Sequence, residues 1–499
     1  MLQMHSPEQA ATWLRLRLRV RAQLQSDSRR VQTGDGFFAW IGQHTDARHH
    51  VVQALQQGAS ACLVEADGLE AFEALNDLGL HDAPIVSYQG LKAASGAIAD
   101  AFFDQPSKQL HLIAVTGTNG KTSTAWWLAQ ALTRLGQRCT VVGTLGLGEP
   151  GQMHSTGLTT PDPLQLQTQL RRWVNDGVQA CAMEASSIGL VEHRLSGCHI
   201  RTAIFTNFTQ DHLDYHGTMQ AYWQAKQSLF EWPGLVAAVV NLDDPKGQAL
   251  CELLAGTSVP VWTVSMHSAQ AHLYARHVRT TAQGMSFDVV CGEQSLSVSS
   301  HCLGEFNVMN LLGVMAVLCQ AGHSLSAVVD ACHLLEPVPG RMQTWEREGT
   351  PAVVVDYAHT PDAVAKALQA LRPWAHARGG RLHCVLGSGG DRDISKRAPM
   401  ARSAEAHADR VCLTSDNPRS EDPQLIVQHM LAGMVQPTKA VQQLDRAKAI
   451  AESIAQAQAA DVVLVAGKGH ETYQEVNGQK LPFSDSDHVV LALQRWGHA

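Results

Sequence analysis

Ala114-Val115-Thr116-Gly117-Thr118-Asn119-Gly120-Lys121-Thr122 is the stretch that decides how this chain folds. The apolar run leading into it, His111-Leu112-Ile113-Ala114-Val115, reads as a buried strand. The run leaving it, Ser123-Thr124-Ala125-Trp126-Trp127-Leu128-Ala129-Gln130-Ala131-Leu132, reads as a helix. A glycine-rich turn between strand and helix gathers backbone N–H groups and a helix N-terminus at one point, and that point suits phosphate. Lys121 adds a positive charge, and the Thr122 hydroxyl can hold Mg²⁺. The turn is shorter than the usual phosphate loop, because Val115 stands where that pattern has its first glycine. What remains is Gly117-x-x-Gly120-Lys121-Thr122, and its position between strand and helix carries the expectation that the chain binds a nucleoside triphosphate.

A length of 499 residues predicts about three domains. The formal net charge of −8 argues against a nucleic-acid partner held by a basic surface, though not against a local arginine and lysine cluster that holds a small anion. The 11 cysteines include no Cys-x-x-Cys pair, so they read as small buried apolar residues in a reducing compartment rather than zinc ligands. Met1-Leu2-Gln3-Met4-His5-Ser6-Pro7 lacks the basic-then-apolar pattern of a signal peptide, and no apolar run reaches membrane-spanning length. A cytoplasmic location without membrane insertion is expected.

Working outward from the turn, the first hundred residues alternate short strand-like and helix-like pieces. Gly36-Phe37-Phe38-Ala39-Trp40-Ile41 and Ala61-Cys62-Leu63-Val64 read as strands, residues 49–57 as the helix between them, and Gln105-Pro106-Ser107 as a linker. To about residue 337 the pattern is strand, loop, helix, with strands at 178–183, 202–206 and 236–241. Apolar strands interleaved with helices imply a parallel sheet covered on both faces. Glu336-Pro337-Val338-Pro339-Gly340-Arg341 reads as a second boundary, followed by strands at 352–356, 382–386, 410–414 and 462–466. The expected architecture is α/β, in three domains: 1–106, 107–337 and 338–499.

Ligands of such sheets sit beyond the C-terminal strand ends, and the loops there are polar: residues 184–187, 207–212, 356–359, 387–393, 415–419 and 467–471. An active site in the cleft between two α/β domains is expected. Glu184 and His212 are candidates to converge with Thr122 around metal on triphosphate oxygens. Read alone, Lys226 is a solvated helix lysine. Asp391, Arg392, Asp393, Lys396, Arg397, Asp416, Asn417, Pro418, Arg419 and Glu471 form a rim of mixed charge, which suits a zwitterion: arginines for a carboxylate, acids for an ammonium.

Taken together, several strings resemble the Mur ligase family over nearly the whole chain and in the right order. They are Thr116-Gly117-Thr118-Asn119-Gly120-Lys121-Thr122, Glu184-x-Ser186-Ser187, Thr206-Asn207-x-x-x-Asp211-His212-Leu213-Asp214-x-His216-Gly217, Gly304-x-Phe306-Asn307-x-x-Asn310, Tyr357-Ala358-His359-Thr360-Pro361, Gly389-Gly390-Asp391-Arg392-Asp393 and Lys468-Gly469-His470-Glu471. Asp416-Asn417-Pro418-Arg419 is similar to the motif of members that add meso-diaminopimelate to UDP-N-acetylmuramoyl-L-alanyl-D-glutamate.

The resemblance implies an N-terminal domain for the UDP end, a central ATPase of phosphate-loop type and a C-terminal Rossmann-like domain for the amino acid. It implies ATP at Gly117, Thr118, Asn119, Gly120, Lys121, Thr122 and Ser123, with Asn307, Asn310, Arg341 and His359 also near the nucleotide. Ser26, Ser28, Gln43, His44, Thr45, Thr159, Thr160, Ser186, Glu192 and Arg194 would face the UDP-muramoyl-dipeptide. Arg392, Asp416, Asn417, Pro418, Arg419, Gly467 and Glu471 would orient diaminopimelate. Thr122, Glu184, His212 and Lys226 would hold Mg²⁺, with Lys226 carbamylated as in the family. Lys121, Glu184, His212 and Lys226 would be catalytic. A monomer acting on small molecules is expected. Four positions depart from the family pattern: Glu192 for a frequent Gln, Ile188 for His, Leu158 for Asn, and Ser26 for an apolar residue. The alternatives are a lysine-adding homologue, a folylpolyglutamate synthase, and, from a different class, a nucleotide-driven switch or transport ATPase.

Overall fold

The computed structural model describes residues 1–19, 22–42, 45–72, 75, 84–281 and 284–497. The chain forms two compact units. One comprises Met1–Thr116, Leu132–Ile204 and Ala225–Ala238; the other comprises Gly117–Ala131, Phe205–Gln224 and Val239–Ala499.

The first unit opens with a parallel sheet in the order Leu2–Met4, Ile85–Tyr88, Ala61–Glu65, Gly36–Ala39, Leu24–Gln25. Phe38, Leu63, Leu91 and Ile98 pack in its core. The unit also carries His111–Thr116, Ala180–Glu184 and Cys139–Gly143 as adjacent parallel strands. Every residue of the last two is buried, as expected of strands covered on both faces. Gly146–Glu149 and Gln152–His154 extend that sheet antiparallel.

In the second unit, Val261–Ser265 pairs parallel with Leu273–Thr281, which continues as an antiparallel meander through Gly284–Cys291 and Gln294–Ser300. The last sheet runs Gln343–Trp345, Ala352–Asp356, Val462–Ala466, Leu382–Ser388, Arg410–Ser415, Val441–Gln442. All its pairings are parallel except that of the edge strand Gln343–Trp345.

Most expected strands lie within a few residues of those observed, and the helix after the glycine turn is longer than its apolar pattern, Lys121–Arg134. Two expectations change. Gln105-Pro106-Ser107 is no open linker: Pro106–Gln109 is a short 3-10 helix, and Ser107 is fully buried, donating its hydroxyl to Asp100 at 3.2 Å. The sheet is not wholly parallel: it continues as an antiparallel meander whose outer strands, Leu273–Thr281 and Gln294–Ser300, are largely exposed and so lack the continuous apolar run that marks a parallel strand. The cysteines are all unpaired, and burial pushes the Cys62 thiol up to about 12. No described helix is long and apolar enough to cross a membrane.

Candidate active site

The glycine turn is held by the loop after Thr202–Phe205. Asn119 donates its backbone N–H to Asn207 Oδ1 at 2.9 Å, and the Asn119 carbonyl accepts from Thr206 Oγ1 at 2.6 Å and Asn207 Nδ2 at 3.1 Å. Both glycines are required by space and by conformation. Gly117 has φ +146°, and a Cβ there would sit 1.9 Å from Thr206 Oγ1; Gly120 has φ +88°, with Asn310 Oδ1 2.3 Å from a Cβ. Asn310 and Asn307 are buried, and Asn310 Nδ2 donates to Asn307 Oδ1 at 3.1 Å. The structure thus brings Asn310 against the turn, with Asn307 behind it. Lys121 Nζ folds back onto the carbonyls of Gly117 and Thr118 at 2.9 and 2.8 Å. Thr118, Thr122 and Ser123 are buried around it.

Residues far along the chain meet the same turn. Arg341 donates through Nη2 to Thr122 Oγ1 at 3.0 Å and stacks over the Tyr357 ring at 4.2 Å. Asn119 Nδ2 donates to Asp362 Oδ2 at 3.4 Å. Asp211, buried, gathers three cationic or titratable side chains: His212 Nε2 at 3.4 Å, His359 Nε2 at 3.8 Å and Lys396 Nζ at 3.8 Å. Burial opposes ionisation of Asp211. The hydrogen bond and charge of His359, together with His212 and Lys396, outweigh it and hold this carboxyl well below the usual carboxylate range. His212 itself lies in the left-handed region at φ +51°. Asp211 stands inside the Thr206–Gly217 motif, where spacing alone assigns it no role. Lys396 was placed on the zwitterion rim and instead reaches Asp211.

In the first unit, Glu184 ends its strand and is 1% exposed. Its carboxylate accepts from the Thr144 N–H at 2.8 Å and the Thr144 hydroxyl at 3.2 Å. Gly143 is glycine because a Cβ would lie 2.2 Å from Glu184 Oε1. Around this carboxylate stand Thr159, whose hydroxyl is 3.2 Å from that of Thr144, and Thr160, which donates to the Glu184 carbonyl at 2.9 Å and lies 3.0 Å from Ser186 Oγ. Arg194 Nη1 donates to the Thr160 carbonyl at 3.1 Å. Thr144 was missed; only its place after a strand end could have flagged it.

Elsewhere in this unit, Ser26 donates to Asp162 Oδ2 at 2.8 Å, so this departure from the family pattern braces the cap of Pro163–Asn175. Glu192 forms an ion pair with Lys92 at 2.6 Å. Ile188 is half-buried, and Leu158 is exposed. Ser28 is buried and Thr45 exposed, while Gln43 and His44 lie outside the described residues. Lys226, in Met219–Gln227, is 1% exposed and is therefore no solvated helix lysine.

The last sheet gathers the remaining candidates at its C-terminal strand ends. Asn417 Nδ2 donates to Glu471 Oε2 at 2.7 Å, and Lys468 Nζ bridges Asn417 Oδ1 at 2.9 Å and Glu471 Oε2 at 2.8 Å. Gly467 has φ +118°, and a Cβ there would meet Asp416 Oδ2 at 2.5 Å. Arg419 donates through Nη1 to the Gly390 carbonyl at 2.6 Å and through Nε to Glu475 at 3.1 Å. Pro418 is buried and Arg392 is exposed. Arg397 leaves the expected rim: it is fully buried, forked onto Glu421 at 2.8 and 2.9 Å, and so braces the loop from beneath. Lys468, in the Lys468-Gly469-His470-Glu471 motif, is fully buried, a placement that sequence alone does not indicate for a lysine.

For Mg²⁺ the donor chemistry fits. Among the described residues no group of three or more His, Cys, Asp or Glu side chains gathers as a metal cage. The Thr122 hydroxyl in one unit and the Glu184 carboxylate in the other are each a hard-oxygen donor of the kind Mg²⁺ takes, few at a time, when phosphate oxygens and water supply the rest.

Comparison with known proteins agrees with this geometry. The family model for the Mur ligase middle domain matches residues 115–318, and that for the Mur ligase glutamate ligase domain matches 340–469. The chain is 51% identical over 497 residues to a UDP-N-acetylmuramoyl-L-alanyl-D-glutamate–2,6-diaminopimelate ligase of Acidovorax sp. (strain JS42), covering 98% of this chain and 97% of that protein. A solved structure of a ligase with that same name matches with a TM-score of 0.66 at 37% identity, covering 95% of this chain and 94% of the other. MurF ligase from Thermotoga maritima in complex with ADP shares the fold alone, at a TM-score of 0.63 and 17% identity over 95% of this chain and 97% of the other. Two models that together span most of the chain, and a relative aligned almost end to end, establish that the chain belongs to the Mur ligase family.

Proposed function

We propose that the chain ligates meso-diaminopimelate to the D-Glu side-chain carboxylate of UDP-N-acetylmuramoyl-L-Ala-D-Glu, consuming ATP, in peptidoglycan precursor synthesis. The observation that carries this reading is the near end-to-end match, at 51% identity, to a ligase of that name. The residues add their own support: a glycine turn packed against Thr206 and Asn310 for a triphosphate, a Glu184 carboxylate held by the Thr144 N–H and hydroxyl, and a mixed-charge strand-end cluster at Asp416, Asn417, Arg419 and Glu471. We assign 1–106 to the UDP end, 107–337 to ATP and 338–499 to the amino acid, boundaries compatible with the two matched segments. The enzyme is assigned to the cytoplasm and acts as a monomer.

A carboxylate is a poor acyl donor until its oxygen becomes a good leaving group. In the proposed reaction a carboxylate oxygen of the acceptor attacks the γ-phosphorus of ATP, and the bond to the β-phosphate oxygen breaks, releasing ADP. The diaminopimelate amine then attacks the acyl carbon and expels phosphate. Lys121 would move from the turn carbonyls to the phosphates, and backbone N–H groups of residues 117–122 would cradle them. Arg341, already on Thr122, would add positive charge beside the transferring group. Asp211 would stay ionised, orienting His212, His359 and Lys396. Asn307 and Asn310 would back the turn. Thr159, Thr160, Ser186 and Arg194 would hold the muramoyl peptide. Thr122, Glu184, His212 and carbamylated Lys226 would hold Mg²⁺, which when bound neutralises phosphate charge. A buried lysine fits that role, because carbamylation exchanges a cation that would repel the metal for an anion that would bind it.

Omitting one reactant at a time tests the reading. ADP should form in repeated turnovers, beyond one equivalent per enzyme, only when ATP, UDP-muramoyl-dipeptide and diaminopimelate are all present. Full-rate ADP formation from ATP alone would favour the switch or transport ATPase, and a requirement for a folate acceptor would favour folylpolyglutamate synthase.

A further inference from the structure

The antiparallel hairpin Tyr473–Val476 and Gln479–Pro482 forms a two-stranded sheet of its own, with no residue in the reaction. A hairpin of that size is marginal in water by itself. It is anchored instead to the loop at 416–419, residue by residue. Gln474 Nε2 donates to the Asp416 carbonyl at 2.7 Å. The Glu475 N–H donates to Asn417 Oδ1 at 3.0 Å. The Arg419 N–H donates to the Glu475 carbonyl at 3.0 Å, and the Arg419 carbonyl accepts from the Asn477 N–H at 2.7 Å, making a single parallel bridge to Val476.

Arg419 needs that bridge. Its φ of +52° lies in the left-handed region, disfavoured for a residue with a Cβ, and the two backbone bonds fix it there. The side chain is fixed too. The Glu475 carboxylate holds Nε at 3.1 Å, with the two side chains 25% and 20% exposed, and the Gly390 carbonyl holds Nη1. Among the described residues Nη2 makes no hydrogen bond, so Nη2 and the second Nη1 hydrogen remain as a fork for a carboxylate.

We infer that the hairpin is a splint for the amine-selecting loop, and that Glu475 is a positioning residue that sets the Arg419 guanidinium to grip an amino acid bearing a second, distal carboxylate. The inference rests on reading 416–419 as the loop that takes the amine. Glu475 touches no substrate; it acts through Arg419. Its effect therefore falls on the amino acid alone and vanishes when Arg419 is absent, whereas a general loosening of the fold would touch every substrate.

Steady-state kinetics of the full-length enzyme in a double-mutant cycle tests this. Glu475→Ala should raise the diaminopimelate KM about tenfold, as expected for loss of one charged hydrogen bond at a partly exposed site. Glu475→Gln, which keeps an acceptor oxygen, should raise it less. The KM values for ATP and UDP-muramoyl-dipeptide and the kcat should stay within about twofold. In an Arg419→Ala background, Glu475→Ala should add nothing. An equal effect of Glu475→Ala with and without Arg419, a parallel rise in all three KM values, or no effect in a background where Arg419→Ala does raise KM would overturn the inference alone. An unchanged diaminopimelate KM in Arg419→Ala itself would overturn the reading of the loop and the inference with it.

Discussion

Lys226 is the residue on which sequence and structure most differ in emphasis. Its helix pattern places it on a solvated face, and the fold buries it to 1% exposure. Burying an ammonium without a purpose is costly, which favours the chemical role drawn from the family resemblance. Lys226→Ala should lose most activity, high bicarbonate should fail to restore it, and a short carboxylate such as acetate should restore part; full activity in the alanine variant would remove Lys226 from the mechanism. Arg419 is the second such residue. Its fork can take the distal carboxylate that lysine lacks, so Arg419→Ala should raise the diaminopimelate KM by roughly two decades and leave the ATP KM in place. Asp211 gives a pH signature. Its folded pKa lies below the unfolded value, so its stabilising contribution is complete above about pH 4 and is lost as pH falls from there through the folded pKa. Acid-unfolding curves of Asp211→Asn should accordingly have a shallower limb below about pH 4 than wild type; identical limbs would mean that Asp211 is not ionised in this setting.

At the scale of elements, the glycine turn was legible because its reading depends on local order: an apolar strand, two glycines, a lysine and a helix. Its spatial demands confirm why glycine stands at both positions. Gly120→Ala should combine a left-handed strain at φ +88° with a Cβ 2.3 Å from Asn310 Oδ1. The expected cost is about 2 kcal/mol or more, with weakened ADP binding by calorimetry and a lowered melting temperature. Unchanged binding and stability would show that the loop can shift to accept the methyl. The parallel strands were legible for the same local reason, as unbroken apolar runs. The meander from Leu273 to Ser300 was not, since two of its three strands, Leu273–Thr281 and Gln294–Ser300, are largely exposed and carry no such run. Arg397 was misread because composition sees a charged rim, and only the fold reveals Glu421 beneath it. His359 and Lys396 lie more than fifty positions from Asp211, as Arg419 does from Glu475, and no spacing rule reaches that far.

For the whole molecule, the candidate residues stand on strand-end loops scattered across the sequence, so no single segment carries the proposed chemistry. The measurement that tests this most directly is phosphate release by the purified chain with ATP, UDP-N-acetylmuramoyl-L-Ala-D-Glu and a panel of amino acids offered one at a time. The account predicts that meso-diaminopimelate supports rapid release matched by an equal amount of ligated product, that lysine supports little, and that leaving out the muramoyl dipeptide abolishes both. Release that proceeds equally with lysine, or that yields no amide product with any amine, would contradict it.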